Sequence, residues 1–159
     1  MTGYFSAAPR PLTPADAEPV RGLVTATLGV TPYVDRVLEL LAEAERGDSD
    51  THALTIERDG TYAALALFGE IVPSNRVWKL HTMLISERVD APEVGDAILA
   101  AVLERARTLG ATSVIAELPA DPVYGRTLDR LRRNGFRQPG KIPDFYRDGV
   151  ALLFLTRSV

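Results

Sequence analysis

The chain has 159 residues, no cysteine and a formal net charge of −3, with acidic and basic residues interspersed. This charge pattern excludes the basic surface that nucleic acids or anionic membranes require, and the lack of cysteine excludes disulfides, thiolate metal sites and cysteine nucleophiles. Two histidines without cysteine also argue against a metal site. The length favours a single domain over 1–159. No stretch is apolar enough for a signal peptide or a membrane span, so we expect a cytoplasmic protein.

The first third is predicted to contain two helices. A short edge strand is expected over Tyr4 to Pro11, where prolines end it. The segment Thr13 to Asp16 supplies a capping hydroxyl, an early proline and an acid, which together start a helix that Gly29 ends. A second helix starts at Thr31-Pro32 and ends at Gly47-Asp48.

The middle of the chain changes to strand periodicity after His52. Asp59-Gly60 lies between two apolar runs and predicts a hairpin. Val77 to Ile85 follows as a third, buried strand and leads into a long amphipathic helix that Gly110 ends. Ser113 to Leu118 is a further buried strand, and its short connection from the helix is typical of a parallel crossover.

The last part predicts one helix and one hairpin. Asp121-Pro122 starts the helix and Gly135-Phe136 ends it. The hairpin runs through Ile142 to Gly149 into Ala151 to Arg157. The complete order is β-α-α-β-β-β-α-β-α-β-β, which predicts an α/β protein with a mixed sheet covered by helices on both faces.

The strand and helix around residues 77–110 also predict a ligand type. A buried strand that runs through a tight turn into a helix directs the first free amides of that helix to a point just beyond the strand. Such a point favours an anion.

Three stretches, in this order and spacing, resemble one family. They are Pro9 to Val20; Leu80 to Ile85 with Val94 to Ala111; and Pro122 to Phe136 with Ile142 to Tyr146. Together they are similar to the GCN5-related N-acetyltransferase (GNAT) family. The resemblance implies the acyl-CoA N-acyltransferase fold and transfer of an acetyl group from acetyl-CoA to a primary amine of a small molecule or protein.

The resemblance also implies a position for acetyl-CoA. The sheet would open at the strand before the long helix, and amides of Met83, Leu84 and Ile85 would hold the thioester carbonyl. Residues Val94, Gly95 and Asp96 would hold the pyrophosphate.

The pyrophosphate loop departs from the family pattern. That pattern is Gln or Arg, two residues, Gly, one residue, then Gly or Ala, and the segment Asp90 to Gly95 keeps only the final glycine. Glu93 stands where the family has glycine and brings a negative charge towards the phosphates. An alternative interpretation is that acids in the first turn stabilise the helix through its macrodipole, without any ligand.

The catalytic positions depart as well. Lys79 aligns with a glutamate that helps deprotonate the amine, and His81 is the candidate replacement, with Glu70 as a second candidate base. The thiolate-protonating tyrosine aligns with Leu131, which is predicted to be core. Tyr146 is therefore the candidate acid. For His81, Glu70 and Tyr146 a purely structural role stays open.

The acceptor amine is expected to lie near Tyr33, Trp78 and Tyr124, and Phe145 is expected in the core. The rival hypothesis is a catalytically silent GNAT-fold module used for ligand sensing, dimerisation or partner binding. Three alternatives stay open: binding of a different acyl carrier, binding of a CoA analogue that lacks close phosphate contacts, and formation of a homodimer.

Overall fold

The structure, a computed structural model, describes residues 7–29, 31–47, 50–89 and 91–159. Within these ranges the chain forms seven strands and four helices, in the predicted order. The elements are β1 (Arg10–Pro11), a first 3₁₀ turn (Pro14–Asp16), α1 (Ala17–Leu28), α2 (Pro32–Arg46), β2 (Thr51–Arg58), β3 (Thr61–Glu70), β4 (Val77–Ile85), α3 (Pro92–Thr108), β5 (Ser113–Pro119), a second 3₁₀ turn (Pro122–Tyr124), α4 (Gly125–Arg133), β6 (Arg137–Arg147) and β7 (Val150–Ser158).

The strands form one mixed sheet in the order β1-β2-β3-β4-β5-β7-β6. Only β4 and β5 pair in parallel, across the crossover that α3 makes; the other neighbours are antiparallel. The predicted hairpin at Asp59-Gly60 and the parallel crossover are therefore confirmed.

Helices cover the sheet on two faces because side chains alternate along each strand. On β3, Leu65 and Leu67 pack in one buried cluster with α1 and α2. Ala66 and Phe68 face the other way, into a larger cluster with residues of α3 and Leu131 of α4. Leu131 is therefore core, as predicted.

The start of α1 differs from the prediction. Residues 14–16 form a 3₁₀ turn and α1 begins at Ala17. Asp16 is 2% exposed and accepts hydrogen bonds from both terminal nitrogens of Arg10 (2.7 and 2.9 Å), the Tyr62 hydroxyl (2.6 Å) and the Thr13 amide (2.6 Å). These donors hold the pKa of Asp16, with Arg10 foremost, well below its usual range. Asp16 therefore ties β1, α1 and β3 together.

The first strand and the last hairpin also differ from the prediction. In the described residues the first strand covers only Arg10–Pro11; the start of its predicted range lies outside them. The last hairpin is longer than predicted, because β6 begins at Arg137. The prediction that Phe145 is core is wrong: its side chain is 53% exposed, since residues 143–146 bulge out of the ladder with β7. No helix among the described residues is long and apolar enough to cross a membrane.

Candidate functional site

The centre of the sheet opens between β4 and β5. The two strands pair through four residue pairs, from Val77 with Ser113 to Leu80 with Ala116. Beyond these pairs β4 continues along β3, whereas β5 continues along β7. A bulge in β4 coincides with this point, because Leu80 and Thr82 face consecutive residues of β3 and leave His81 as the extra residue. The result is a gap, which we call the β4/β5 gap, between 81–85 and 117–119.

The backbone of β4 presents polar groups to this gap. The Ser86 amide donates to the Ala63 carbonyl at 2.8 Å, so this pair is hydrogen bonded. Bonded and non-bonded pairs alternate along an antiparallel ladder, so Leu84 also bonds to β3 while Met83 and Ile85 direct their N–H and C=O groups away from it. The amides of Met83 and Ile85 therefore point to the gap, and that of Leu84 does not.

Charged groups span the gap where the strands separate. Lys79 Nζ lies 2.9 Å from Glu117 Oε2, and both side chains are about one-quarter exposed, at 28% and 27%. The pair joins the last paired part of β4 to the first unpaired residue of β5. Lys79 is therefore not a free cation, and its carboxylate partner comes from a residue that the sequence interpretation did not select.

His81 lies beside this ion pair and is predominantly neutral at neutral pH. Burial, as the largest cause, and the nearby cations Lys79 and Arg36 together lower the pKa of His81 to about 4, against the opposite effect of Glu43 and Glu117. An uncharged imidazole has a free nitrogen that can accept a proton. It is a weaker base than an ordinary histidine, however, because its conjugate acid is disfavoured.

Tyr146 interacts electrostatically with Glu117 and with two other phenols. Burial raises the pKa of Tyr146, and Glu117, Tyr33 and Tyr124 raise it further because they lie close to it. Tyr146 is half-buried and its ring meets Phe145 edge-on at a centroid distance of 5.0 Å. Three of the predicted site residues, Tyr33, Tyr124 and Tyr146, thus interact electrostatically, and Glu117 acts on both Tyr146 and His81.

The first turn of α3 forms the second part of the site. Its N-cap residue Ala91 provides no side-chain cap, so the amides there are not satisfied by a capping side chain. Gly95 is buried against the guanidinium of Arg130 from α4, and a Cβ at this position would collide with that guanidinium. Glycine is therefore required for the close approach of Arg130 to the helix start.

Arg130 places a positive group at this helix end. Its side chain is 14% exposed, and its Nε lies 3.5 Å from Asp96 Oδ1 but is buried without a hydrogen-bond partner. Arg133 approaches the same carboxylate at 3.7 Å and the Asn134 side chain donates to it at 3.2 Å. Asp96 is therefore largely compensated by α4, whereas Glu93 is exposed and Asp90 lies outside the described residues.

Two predicted site residues lie elsewhere. Trp78 is 5% exposed and packs on the α3 face of the sheet, where its ring stacks on His52 at 5.2 Å and lies 6.1 Å from Phe68. Glu70 pairs with Trp78 in the ladder, near the end of β4 that is distant from the gap. Neither reaches the phenols or His81, because strand alternation sends Trp78 to the opposite face and Glu70 lies several residues before the gap.

Sequence reasoning missed Glu117 and Arg130. Glu117 interrupts an apolar strand at alternate spacing, which was a usable signal for a residue facing away from the core. Arg130 lies in the arginine-rich stretch RTLDRLRR, where the leucine spacing predicts a packed helix but does not indicate which group each arginine meets.

Solved structures share this architecture. A GNAT-family protein from Desulfovibrio desulfuricans is 25% identical, with a TM-score of 0.87 over 96% of this chain and 99% of that chain. The chain has the GNAT fold. Ribosomal-protein-alanine N-acetyltransferase from Brucella melitensis matches with a TM-score of 0.76 at 19% identity, over 95% of this chain and 99% of the other. The yncA protein of Salmonella typhimurium, solved with its cofactor acetyl-CoA, matches with a TM-score of 0.76 at 14% identity, over 95% and 92% of the two chains.

The similarity to known proteins is found by comparing structures and not by comparing sequences. No family model and no curated relative matches the sequence. The resemblance to GNAT proteins and the predicted fold class are confirmed by the structural matches. At 19% and 14% identity, the matches to the Brucella and Salmonella proteins show a shared fold and nothing further.

Proposed function

We propose that this protein is an N-acetyltransferase that transfers the acetyl group of acetyl-CoA to a primary amine. The observation that supports the proposal most is the β4/β5 gap, which lies directly before the uncapped start of α3. A gap lined by free amides, next to a helix N-terminus, fits a long ligand with a carbonyl in its middle and phosphates at one end.

The residues at the start of α3 fit a pyrophosphate. Gly95 has no side chain, so the guanidinium of Arg130, whose Nε has no hydrogen-bond partner, can lie against the start of α3. A guanidinium matches phosphate oxygens in shape and charge. Arg130 thus compensates for the loss of most of the usual loop pattern, and it offsets part of the repulsion from Glu93.

The gap itself fits the thioester. Amides of Met83 and Ile85 point away from β3, so either can donate to the carbonyl oxygen, where negative charge develops as the amine attacks. This contribution uses the backbone alone, which explains how it can coexist with unusual side chains at the catalytic positions.

Two side chains have protonation states that suit proton transfer. In the reaction the amine nitrogen bonds to the carbonyl carbon, the carbon–sulfur bond breaks, the nitrogen loses a proton and the thiolate gains one. His81 is neutral at neutral pH and accepts the first proton. Tyr146, whose raised pKa keeps it protonated, donates the second.

The experiment measures binding and turnover separately. A thermal-shift titration with acetyl-CoA should raise the melting temperature, because a ligand that binds only the native state stabilises it. Release of free thiol in the presence of primary amines should then exceed release without amine. A flat thermal response with no thiol release would refute the proposal and favour the catalytically silent module.

A further inference from the structure

A cavity of about 460 Å³ lies at the β2 edge of the sheet. It exists because β1 covers only Leu54 and Thr55 of β2, whereas β2 itself starts at Thr51. We call it the β2-edge cavity. The end of α2 and the last turn of α3 complete its walls, and its described lining residues are all different from those of the β4/β5 gap. Its volume is within the range of small-molecule sites.

Arg105, in the last turn of α3, brings a positive charge to the β2-edge cavity. In the described part of the chain its guanidinium has neither an ion-pair nor a hydrogen-bond partner. Arg107, two residues later, is by contrast held by Glu104 at 2.6 Å. Glu45 also lines the cavity, but Arg21 holds its carboxylate at 2.7 Å. Arg105 is therefore available to a negatively charged ligand.

His52 gives the β2-edge cavity a flat, uncharged wall. Its ring stacks on Trp78 at a centroid distance of 5.2 Å and on Phe68 at 5.7 Å, which fixes its orientation. Burial, as the largest cause, and Arg105 lower the pKa of His52, against the weaker opposite effect of Asp50. The ring is therefore neutral at neutral pH, and a neutral imidazole carries one N–H donor.

The balance of charge favours a ligand with a single negative charge. Arg105 is one cation, whereas Glu45 and Asp50 place negative charge in and near the cavity. A phosphate ester carries up to two charges and would be repelled by these carboxylates while meeting only one cation. A carboxylate matches two N–H groups of one guanidinium. Most of the remaining lining is apolar and suits a hydrocarbon body, with side chains from Leu12, Pro14, Ala17, Ala44, Leu54 and Phe68.

We propose that the β2-edge cavity binds a small monocarboxylate with a flat apolar body. Arg105 pairs with the carboxylate, and the body packs against the rings of His52 and Phe68. This site is separate from the β4/β5 gap, and the proposal does not depend on acetyl transfer.

The first test uses the fluorescence of Trp78, which is the only tryptophan of the protein and stacks on His52. Phenylacetate is added to the full chain up to about 10 mM, because ligands of this size commonly bind in the millimolar range. The melting temperature is measured on the same samples. The matched compounds 2-phenylethanol and 2-phenylethylamine keep the ring and replace the carboxylate by a hydroxyl or an ammonium group.

We expect phenylacetate to change the Trp78 fluorescence saturably and to raise the melting temperature. The two matched compounds should bind about tenfold more weakly or less, because they lack the charge-assisted hydrogen bonds to Arg105.

Two variants locate the binding site. Arg105→Gln should weaken phenylacetate binding by about tenfold or more and leave the fold intact, because the Arg105 side chain is exposed. Arg107→Gln is the matched control, since Arg107 is an exposed arginine of the same helix that does not line the cavity. It should leave the affinity for phenylacetate unchanged.

The outcomes decide the proposal without acetyl-CoA. A response of neither fluorescence nor melting temperature to phenylacetate would overturn it, and so would equally tight binding of 2-phenylethanol. An affinity that Arg105→Gln leaves unchanged, or that both arginine variants lower equally, would also overturn it. Since no acetyl-CoA is present, none of these results depends on whether the protein transfers acetyl groups.

Discussion

Gly95→Ala should separate cofactor binding from stability. A Cβ on Gly95 collides with the guanidinium of Arg130, but only with the far end of a flexible side chain. Arg130 can therefore swing away at small cost to the fold, and the helix itself gains up to about 1 kcal/mol from replacing glycine. We expect the free energy of unfolding to stay nearly constant.

The effect on acetyl-CoA should be much larger. The new methyl group displaces from the first turn of α3 the guanidinium that we propose binds the phosphates. Losing one charge-assisted hydrogen bond costs about 1.5 to 3 kcal/mol. Since about 1.4 kcal/mol corresponds to a factor of ten, the dissociation constant should rise about ten- to a hundredfold.

The assay pairs calorimetric titration of acetyl-CoA with thermal unfolding of the same samples. Gly22→Ala is the matched control, because Gly22 also lies inside a helix and an added Cβ there meets nothing within 4 Å. It should gain stability and keep its affinity. Unchanged affinity in Gly95→Ala would refute the assignment of α3 and Arg130 to the phosphates, and so would an affinity loss that merely follows unfolding.

Three further outcomes follow from the same contacts. Asp16→Asn should lower the free energy of unfolding by about 2 to 4 kcal/mol, as loss of a buried charged acceptor does. Because the pKa of Asp16 is lower in the folded state than in the unfolded state, this loss of unfolding free energy should be complete above about pH 4 and should decrease at lower pH. Urea unfolding of both proteins at several pH values measures it, and a loss that does not change with pH would contradict the role of the Asp16 carboxylate. At low pH, kcat should fall with an apparent pKa near that of His81, which is about 4. Lys79→Met removes a nearby cation and should therefore shift this apparent pKa to higher pH. If the pH–rate profile of the variant shows no shift, His81 is not the base. Glu93→Gln should tighten acetyl-CoA binding about fivefold, since an exposed carboxylate repels a phosphate about 4 Å away by about 1 kcal/mol; equal affinities by calorimetry would count against this repulsion.

Most of the fold follows from local sequence signals. Glycines with positive φ at Gly47, Gly60 and Gly110 end or turn elements where the sequence predicts, and strand alternation explains which residues of β3 face each layer. The parallel pairing of β4 with β5 follows from the length of the α3 connection. These features depend on residues near one another in the chain.

The candidate site depends on distant residues, and there the sequence was less informative. Arg130 reaches Gly95 from another helix, and Lys79 meets Glu117 across two strands. The spacing of hydrophobic residues along the sequence does not indicate that the members of either pair meet. Trp78, which is predicted to lie near the acceptor, faces the core instead because side chains alternate along β4.

The bulge at His81 has a similar origin. A bulge adds one residue to one strand, and hydrophobic alternation alone does not locate it when both faces of the strand are partly buried. The bulge matters because it turns the amides of Met83 and Ile85 towards the gap, which is the geometry that acetyl transfer would use.

Backbone hydrogen exchange of β4, with and without saturating acetyl-CoA, tests the central claim most directly. We expect the amides of Met83 and Ile85 to exchange more slowly when acetyl-CoA is bound, while the Leu84 amide, already bonded to β3, changes little. Equal exchange at Met83 and Ile85 with and without acetyl-CoA would contradict the claim that this gap holds the thioester.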